Sequence, residues 1–194
     1  MSVLPDTPPK LTWKVLLPGG QRRLMEAVLY IAQRYTSAPF FGLVKLNKTV
    51  WRADFDSFAE RGQPVTGRQY QRLPQGPAPV EMLPVLNEMQ AAGLIKIERC
   101  RVFDFDERRP VVTAQPNLTL FSRSDLDYLD RAIATYWDKT GREASDISHG
   151  IAWKSRSDGE PMPYELAYLS DTPISGKQRK ELLEIALDNR WLTQ

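Results

Sequence analysis

One cysteine, Cys100, and one histidine, His149, stand in a chain of 194 residues. A lone cysteine rules out a disulfide framework and fits a reducing compartment. A structural zinc site wants about four Cys and His ligands, twice what this chain holds. Counting leaves open only an all-carboxylate site for a hard cation. Long apolar runs are missing too, none approaching the ~18 residues of a membrane span. The opening MSVLPDTPPKLTWKVLLPGG lacks the basic-then-apolar order of a secretory signal. A soluble cytoplasmic protein is expected. Charge of one sign is not in excess: Lys+Arg 26 against Asp+Glu 24 gives +2. That balance argues against a protein that coats phosphate or anionic lipid. Gly19-Gly20 has no following Gly-Lys-Ser/Thr or GxGxxG spacing, so no phosphate loop is present.

What is there is ordinary globular material, 42% hydrophobic and 26% charged, enough for one domain with its own core. Residues 1–19 read as an N-terminal arm docking through Leu11, Trp13, Val15, Leu16 and Leu17. Leu24, Ala27, Val28 and Ile31 make one stripe of a helix running to about Tyr35. A second helix over 42–61 carries Leu43, Leu46, Val50, Trp51, Phe55 and Phe58 and stops at Gly62. The proline-rich stretch 63–81 is irregular, with a short strand expected within 68–73. A third helix bears Met82, Val85, Leu86 and Met89 and ends at Gly93. A hairpin follows, with a strand from Leu94 and a return strand over Val111–Thr113, across a polar turn around Asp104–Arg109.

Further on, Ser122 is placed to cap a helix with the stripe Leu126, Leu129, Ile133, Tyr136 and Trp137. Thr140 and Glu143 have capping-box spacing, with Ala144, Ile147, Ser148 and Ile151 on one continuing face. Pro163 opens a short helix through Leu169, and Ser175 opens a last helix with Leu182, Ile185 and Ala186. The expected fold class is α+β, mainly α: a single compact helical domain with a wing-like β-hairpin after the third helix.

Chemistry-bearing residues are sparse. His149 suits proton transfer near neutral pH, with Ser148 beside it and Asp146 three residues before. Adjacent helical residues point about 100° apart, so Ser148 and His149 cannot pair as nucleophile and base. Asp125, Asp127 and Asp130 open a helix, where they serve its dipole. Asp54 and Asp56 are too close to share a helix face. Cys100 reads as small strand filler. The third helix and hairpin resemble a recognition helix and wing, but the five basic residues of the wing face four acids. No cofactor, metal or enzymatic constellation is indicated. Most aromatics belong to a core, and exposed ones suit a protein partner.

The order of motifs is informative as a whole. KLNKTVWRADFDSFAERGQPVTGRQYQRLPQGPAPVEM (45–82) precedes a helix ending in AAGLI. Ser122–Leu129, then ASDISHGIAW (144–153) and GEPMPYELA (159–167), follow, with YIAQRY upstream. This series, over roughly residues 20–170, resembles the Panacea domain, the SocA-like antitoxin family of bacteria and their phages. Thr49–Trp51 and Gln75 depart from the residues usual in the family, at positions that affect packing.

The resemblance implies a 20–170 Panacea domain with an arm at 1–19 and a C-terminal helix, 171–194, packed on it. It implies a non-enzymatic antitoxin of a type II-like toxin–antitoxin pair, neutralising a cognate protein toxin by direct binding. In one branch of the family the domain delivers its toxin to a protease, which makes a protease a second expected partner. The alternative partner is DNA, bound by a winged-helix-like regulator. Family-motif residues, as structural or partner-binding candidates, are Lys45, Asn47, Lys48, Asp54, Gly67, Tyr70, Gly76, Pro77, Ser148, His149, Trp153, Pro163, Tyr164 and Glu165. Gly67 and Gly76 are expected to serve backbone turns, Tyr70 and Trp153 packing, and His149 and Glu165 a polar network between helices.

Overall fold

The computed structural model describes residues 10–102 and 105–169, together with Asp171, Lys180 and Glu184. Helix α1 spans Gly20–Arg34, and its stripe of Leu24, Ala27, Val28 and Ile31 is fully buried. A 3-10 turn over Tyr35–Ser37 and then Pro39 stop it. Helix α2, Leu43–Arg61, runs through the middle of the molecule. It packs against α1, against two later helices and against the turn near residue 165. Leu46, Val50, Ala53, Phe55 and Phe58 are its buried apolar face, and full burial of each large side chain contributes roughly 1.5–3 kcal/mol. Gly62 ends α2 in the left-handed region at φ 70°, its N–H donating to the Phe58 carbonyl at 2.8 Å.

The irregular segment that follows contributes two short strands, β1 (Tyr70–Gln71) and β2 (Ala78–Pro79). Helix α3, Met82–Ala91, buries the four expected apolar residues. Strands β3 (Ile95–Val102) and β4 (Phe105–Val112) then pair antiparallel from Ile95 opposite Val112 to Val102 opposite Phe105. The expected polar turn over 104–109 is therefore mostly strand, and only residues 103 and 104 separate the two. Its polar residues have strand partners rather than turn roles. Glu107 accepts from the Phe41 N–H at 3.1 Å, and Arg109 donates to the carbonyls of Tyr35, Thr36 and Ala38.

Helix α4, Arg123–Tyr136, starts with the anticipated Ser122 cap, which Asp125 completes as a capping box. Asp125 also pairs with Arg23 of α1 at 2.7 Å and with Arg61 of α2, so one buried carboxylate ties three helices together. Helix α5, Gly141–Ser148, has the Thr140–Glu143 capping box. The single face expected through Ile151 is broken. α5 ends at Ser148, Gly150 is extended, and a four-residue helix α6 restarts at Ile151–Lys154. Ile147 and Ile151 are consequently exposed, as is Trp137 past the end of α4.

Strand β5 (Pro161–Met162) joins β1 on the side opposite β2. The short helix expected from Pro163 is a 3-10 helix over Tyr164–Tyr168, with Pro163 at its cap and Leu169 just past its end. In the arm, Val15 packs on the core, whereas Leu16 is 87% exposed and does not dock. The last helix expected from Ser175 lies largely outside the described residues. Lys180 and Glu184 are helical and exposed.

Candidate functional site

Most family-motif residues point inward, and they gather into two buried clusters and two isolated anchors. The first cluster centres on Asp54, which is fully buried on α2. Its carboxylate accepts from the Thr66 N–H at 2.6 Å, the Thr66 hydroxyl, the Tyr70 hydroxyl at 2.8 Å and the Tyr164 hydroxyl at 3.1 Å. Tyr164 also hydrogen-bonds the Arg68 carbonyl at 2.7 Å. Burial pushes the Asp54 carboxyl above its ordinary range, and these donors pull part of that back. Both tyrosines are pushed well above their ordinary value by burial and by Asp54. The Phe55 ring packs edge-on to Tyr70 and tilted on Tyr164. Three residues far apart in the chain from Asp54 or from one another, Thr66, Tyr70 and Tyr164, thus converge on one carboxylate.

The second cluster is built on Lys48, six residues earlier on α2 and only 1% exposed. Its ammonium donates to the Pro77 carbonyl at 3.0 Å. Burial pushes it down to about 7. Gly76 packs on it at φ 98°, where a Cβ would lie 2.6 Å from Lys48 Cε and would collide with Ser148 Oγ. Glycine is required there both by the dihedral and by the space. Ser148 donates to the Ser145 carbonyl, and the Ser145 hydroxyl donates to the Gln75 carbonyl at 2.8 Å. Trp153 Nε1 donates to the Leu73 carbonyl at 2.9 Å, with Arg72 over its ring. His149 stacks on Trp153 with ring centroids 3.9 Å apart, and its Nε2 lies 3.3 Å from Ser145 Oγ. Burial, then the Lys48 charge, lowers its pKa, which favours the neutral ring at neutral pH. The cluster pins the 72–79 segment between α2 and the α5–α6 region.

Lys45 and Glu165 are the isolated anchors. Lys45 is fully buried and donates to the carbonyls of Tyr136 and Trp137 at 2.8 and 3.0 Å, satisfying the C-terminus of α4. Burial lowers it to about 8, with Glu107 opposing that shift. Glu165 accepts the Thr12 N–H with both oxygens, while the Tyr164 N–H donates to the Thr12 carbonyl. Gly67, at φ 70°, accepts from the Val15 N–H in the same arm, and a Cβ there would strike the Val15 carbonyl. Glu165 thus holds the arm, whereas His149 contacts Trp153 and Ser145, so the two share no partner and do not form the network expected of them. Asn47 is half-buried, and its Oδ1 has no hydrogen-bond partner among the described residues. Pro163 caps the turn that carries Tyr164 and Glu165.

Sequence reasoning passed over Arg23, Thr66, Arg68 and Arg72, which supply much of this bonding. Only Arg23 carried a signal, lying four residues before Ala27 on the buried side of α1.

One open feature lies beside the second cluster. A cleft of about 820 Å³ runs between the N-termini of α2 and α5 and the hairpin. Leu43, Val44, Pro74 and Val102 form its apolar wall, Lys45 and Ser145 lie along it, and Arg108 and Arg142 line it with acids between.

A family model for the SocA-like antitoxin, Panacea domain, matches residues 46–154, more than half of the chain. The chain belongs to the Panacea family. No curated protein and no solved structure matched it. The match begins inside α2 and ends with α6, so both buried clusters of the Panacea domain draw most of their residues from it, with Tyr164 contributed from beyond its end. Among the described residues, no helix is long and apolar enough to cross a membrane. Family membership supports an antitoxin role in general terms.

Proposed function

We propose that this Panacea domain is the antitoxin of a type II-like pair and neutralises a cognate protein toxin by direct contact in the cytoplasm. Family membership across residues 46–154 is the observation that carries this reading. The burial of the motif residues agrees with it. Lys45, Lys48, Asp54, Tyr70, Ser148 and Tyr164 are each no more than 1% exposed, so they serve the shape of the domain. Recognition of a partner then falls to the outer surface, which is free to vary with the toxin. Residues 20–170 act as the functional unit, with the arm at 1–19 and the 171–194 segment as appendages whose loss changes affinity more than fold.

A DNA-reading role gains nothing from the wing-like hairpin. Helix α3, which would be the reading helix, is MLPVLNEMQA and carries no Lys or Arg to meet phosphate.

Co-expression with the product of the adjacent gene in a bacterial host tests the proposal. Restored growth, with the two proteins co-purifying, is expected. Arrest with no complex overturns it. Truncation of 1–19 or 171–194 in the same assay separates the appendages from the domain.

A further inference from the structure

One face of the β3–β4 hairpin is buried at its base, at Ile95 and Pro110, and carries exposed charges toward its tip. Register places Arg99 directly opposite Arg108, and Arg101 opposite Asp106. Side chains alternate along strands, so these four share one face, and all four are exposed. Like charges directly across an antiparallel pair are unfavourable. Arg99, Arg101 and Arg108 make no ion pair or hydrogen bond to any described residue, although 26 basic and 24 acidic residues offer many pairings elsewhere. The opposite face shows the contrast, because Glu107 and Arg109 there are both engaged with the body of the domain. Arg108 also forms part of the lining of the 820 Å³ cleft, whose charges are mixed, Lys45, Arg108 and Arg142 against Asp106, Glu107 and Asp146, and whose apolar wall is Leu43, Val44 and Val102. The unpaired positive charge lies on the hairpin face, and the cleft supplies the apolar seat.

We infer that this arginine face and the adjoining cleft form the toxin-docking surface, which takes an acidic segment of the partner protein with an apolar side chain seated in the cleft. This rests on the antitoxin reading. The guanidinium groups supply a planar, forked donor set that pairs with carboxylates in bidentate fashion. The partner's carboxylates would relieve the Arg99–Arg108 repulsion, so the free hairpin is poised for an anionic occupant. Exposed charges of this kind govern encounter rate and partner choice, and the apolar anchor adds residence time.

The test compares two charge-matched double variants. R99E/R108E alters the proposed surface, and R123E/K154E alters exposed cations elsewhere. Thermal melting first confirms that both fold as the parent does. Each is then co-expressed with the adjacent-gene toxin, and affinity is measured at two salt concentrations. The expected result is loss of rescue and at least a tenfold weaker Kd for R99E/R108E, with R123E/K154E unchanged. Rescue by a folded R99E/R108E at parental affinity overturns the surface while leaving the antitoxin reading intact.

If the parent itself fails to rescue, the antitoxin reading falls, and the surface is judged with a fluorescent oligoglutamate peptide and a 20-base-pair duplex. Peptide binding that R99E/R108E abolishes supports an acidic-protein surface. Binding to the duplex alone, or to neither probe, overturns it.

Discussion

Lys48 is an amine sealed among carbon atoms and carbonyls, and its protonation should be visible in the stability of the whole domain. Its ordinary value of 10.5 falls to about 7 in the folded chain because burial disfavours the ammonium. Between those two values the unfolded chain holds the proton and the folded chain has released it. Stability from this group therefore rises with pH across that window and is flat below it. At 1.36 kcal/mol per unit, the change from pH 6 to pH 9 amounts to about 2.6 kcal/mol.

The variant Lys48→Met keeps an unbranched side chain one atom shorter and removes the titration. It gives up the bond to the Pro77 carbonyl, a cost of about 1 kcal/mol that does not depend on pH. Urea unfolding of both proteins, followed by tryptophan fluorescence at pH 6 and pH 9, isolates the effect. The difference in stability between wild type and variant should move toward wild type by about 2.6 kcal/mol on going to pH 9. The Lys48 charge lowers the His149 pKa, so the comparison is made with His149→Ala in both proteins, which removes that titration from the difference. A difference that stays constant within about 0.5 kcal/mol would refute the idea that Lys48 is desolvated in the native state.

Three further outcomes follow from the same clusters. Asp54→Ala strands the Thr66 N–H and the Tyr70 hydroxyl in the core, and at about 1–3 kcal/mol each, urea midpoints should report a loss of roughly 2–6 kcal/mol. Gly76→Ala forces φ 98° on an L residue and drives a Cβ against Ser148 and Lys48, so thermal melting should show a loss of about 2 kcal/mol or more. His149→Ala should fold normally and still rescue growth in the toxin co-expression assay, because the ring stacks on Trp153 and makes one hydrogen bond, to a Ser145 hydroxyl that keeps its own bond to the Gln75 carbonyl; lost rescue with intact folding would give it a direct role in binding.

Periodicity made the helices legible. The stripes of α1 and α3, the Ser122 cap and the Thr140–Glu143 capping box are local patterns, and each appears in the structure where the spacing puts it. What stayed hidden depended on partners far along the chain. The polar run at 104–109 resembles a turn until the carbonyls of residues 35–38 and the Phe41 N–H are brought beside it. The Asp54–Asp56 pair could be dismissed as a catalytic dyad by spacing, but not recognised as one buried hub beside one half-buried carboxylate. The donors to Asp54 come from residues 66, 70 and 164, and no local pattern connects them. Helix breaking at Gly150 was equally invisible to a periodicity that continues in register from Ala144 to Ile151. Of the candidate site, the resemblance carried the residue identities, while their grouping into two clusters required the fold.

The bond between Thr12 and Glu165 also bears on how the chain is made. These residues are 153 positions apart, and Val15 likewise waits for Gly67. Contacts of such separation form late, since closing the intervening loop must come first. During synthesis the arm leaves the ribosome first yet finds its seat only when nearly all the chain has followed. Until then its apolar residues have no permanent neighbours. A product stalled before residue 164 would hold the arm without its Thr12 anchors, leaving that segment open to a cell's proteases.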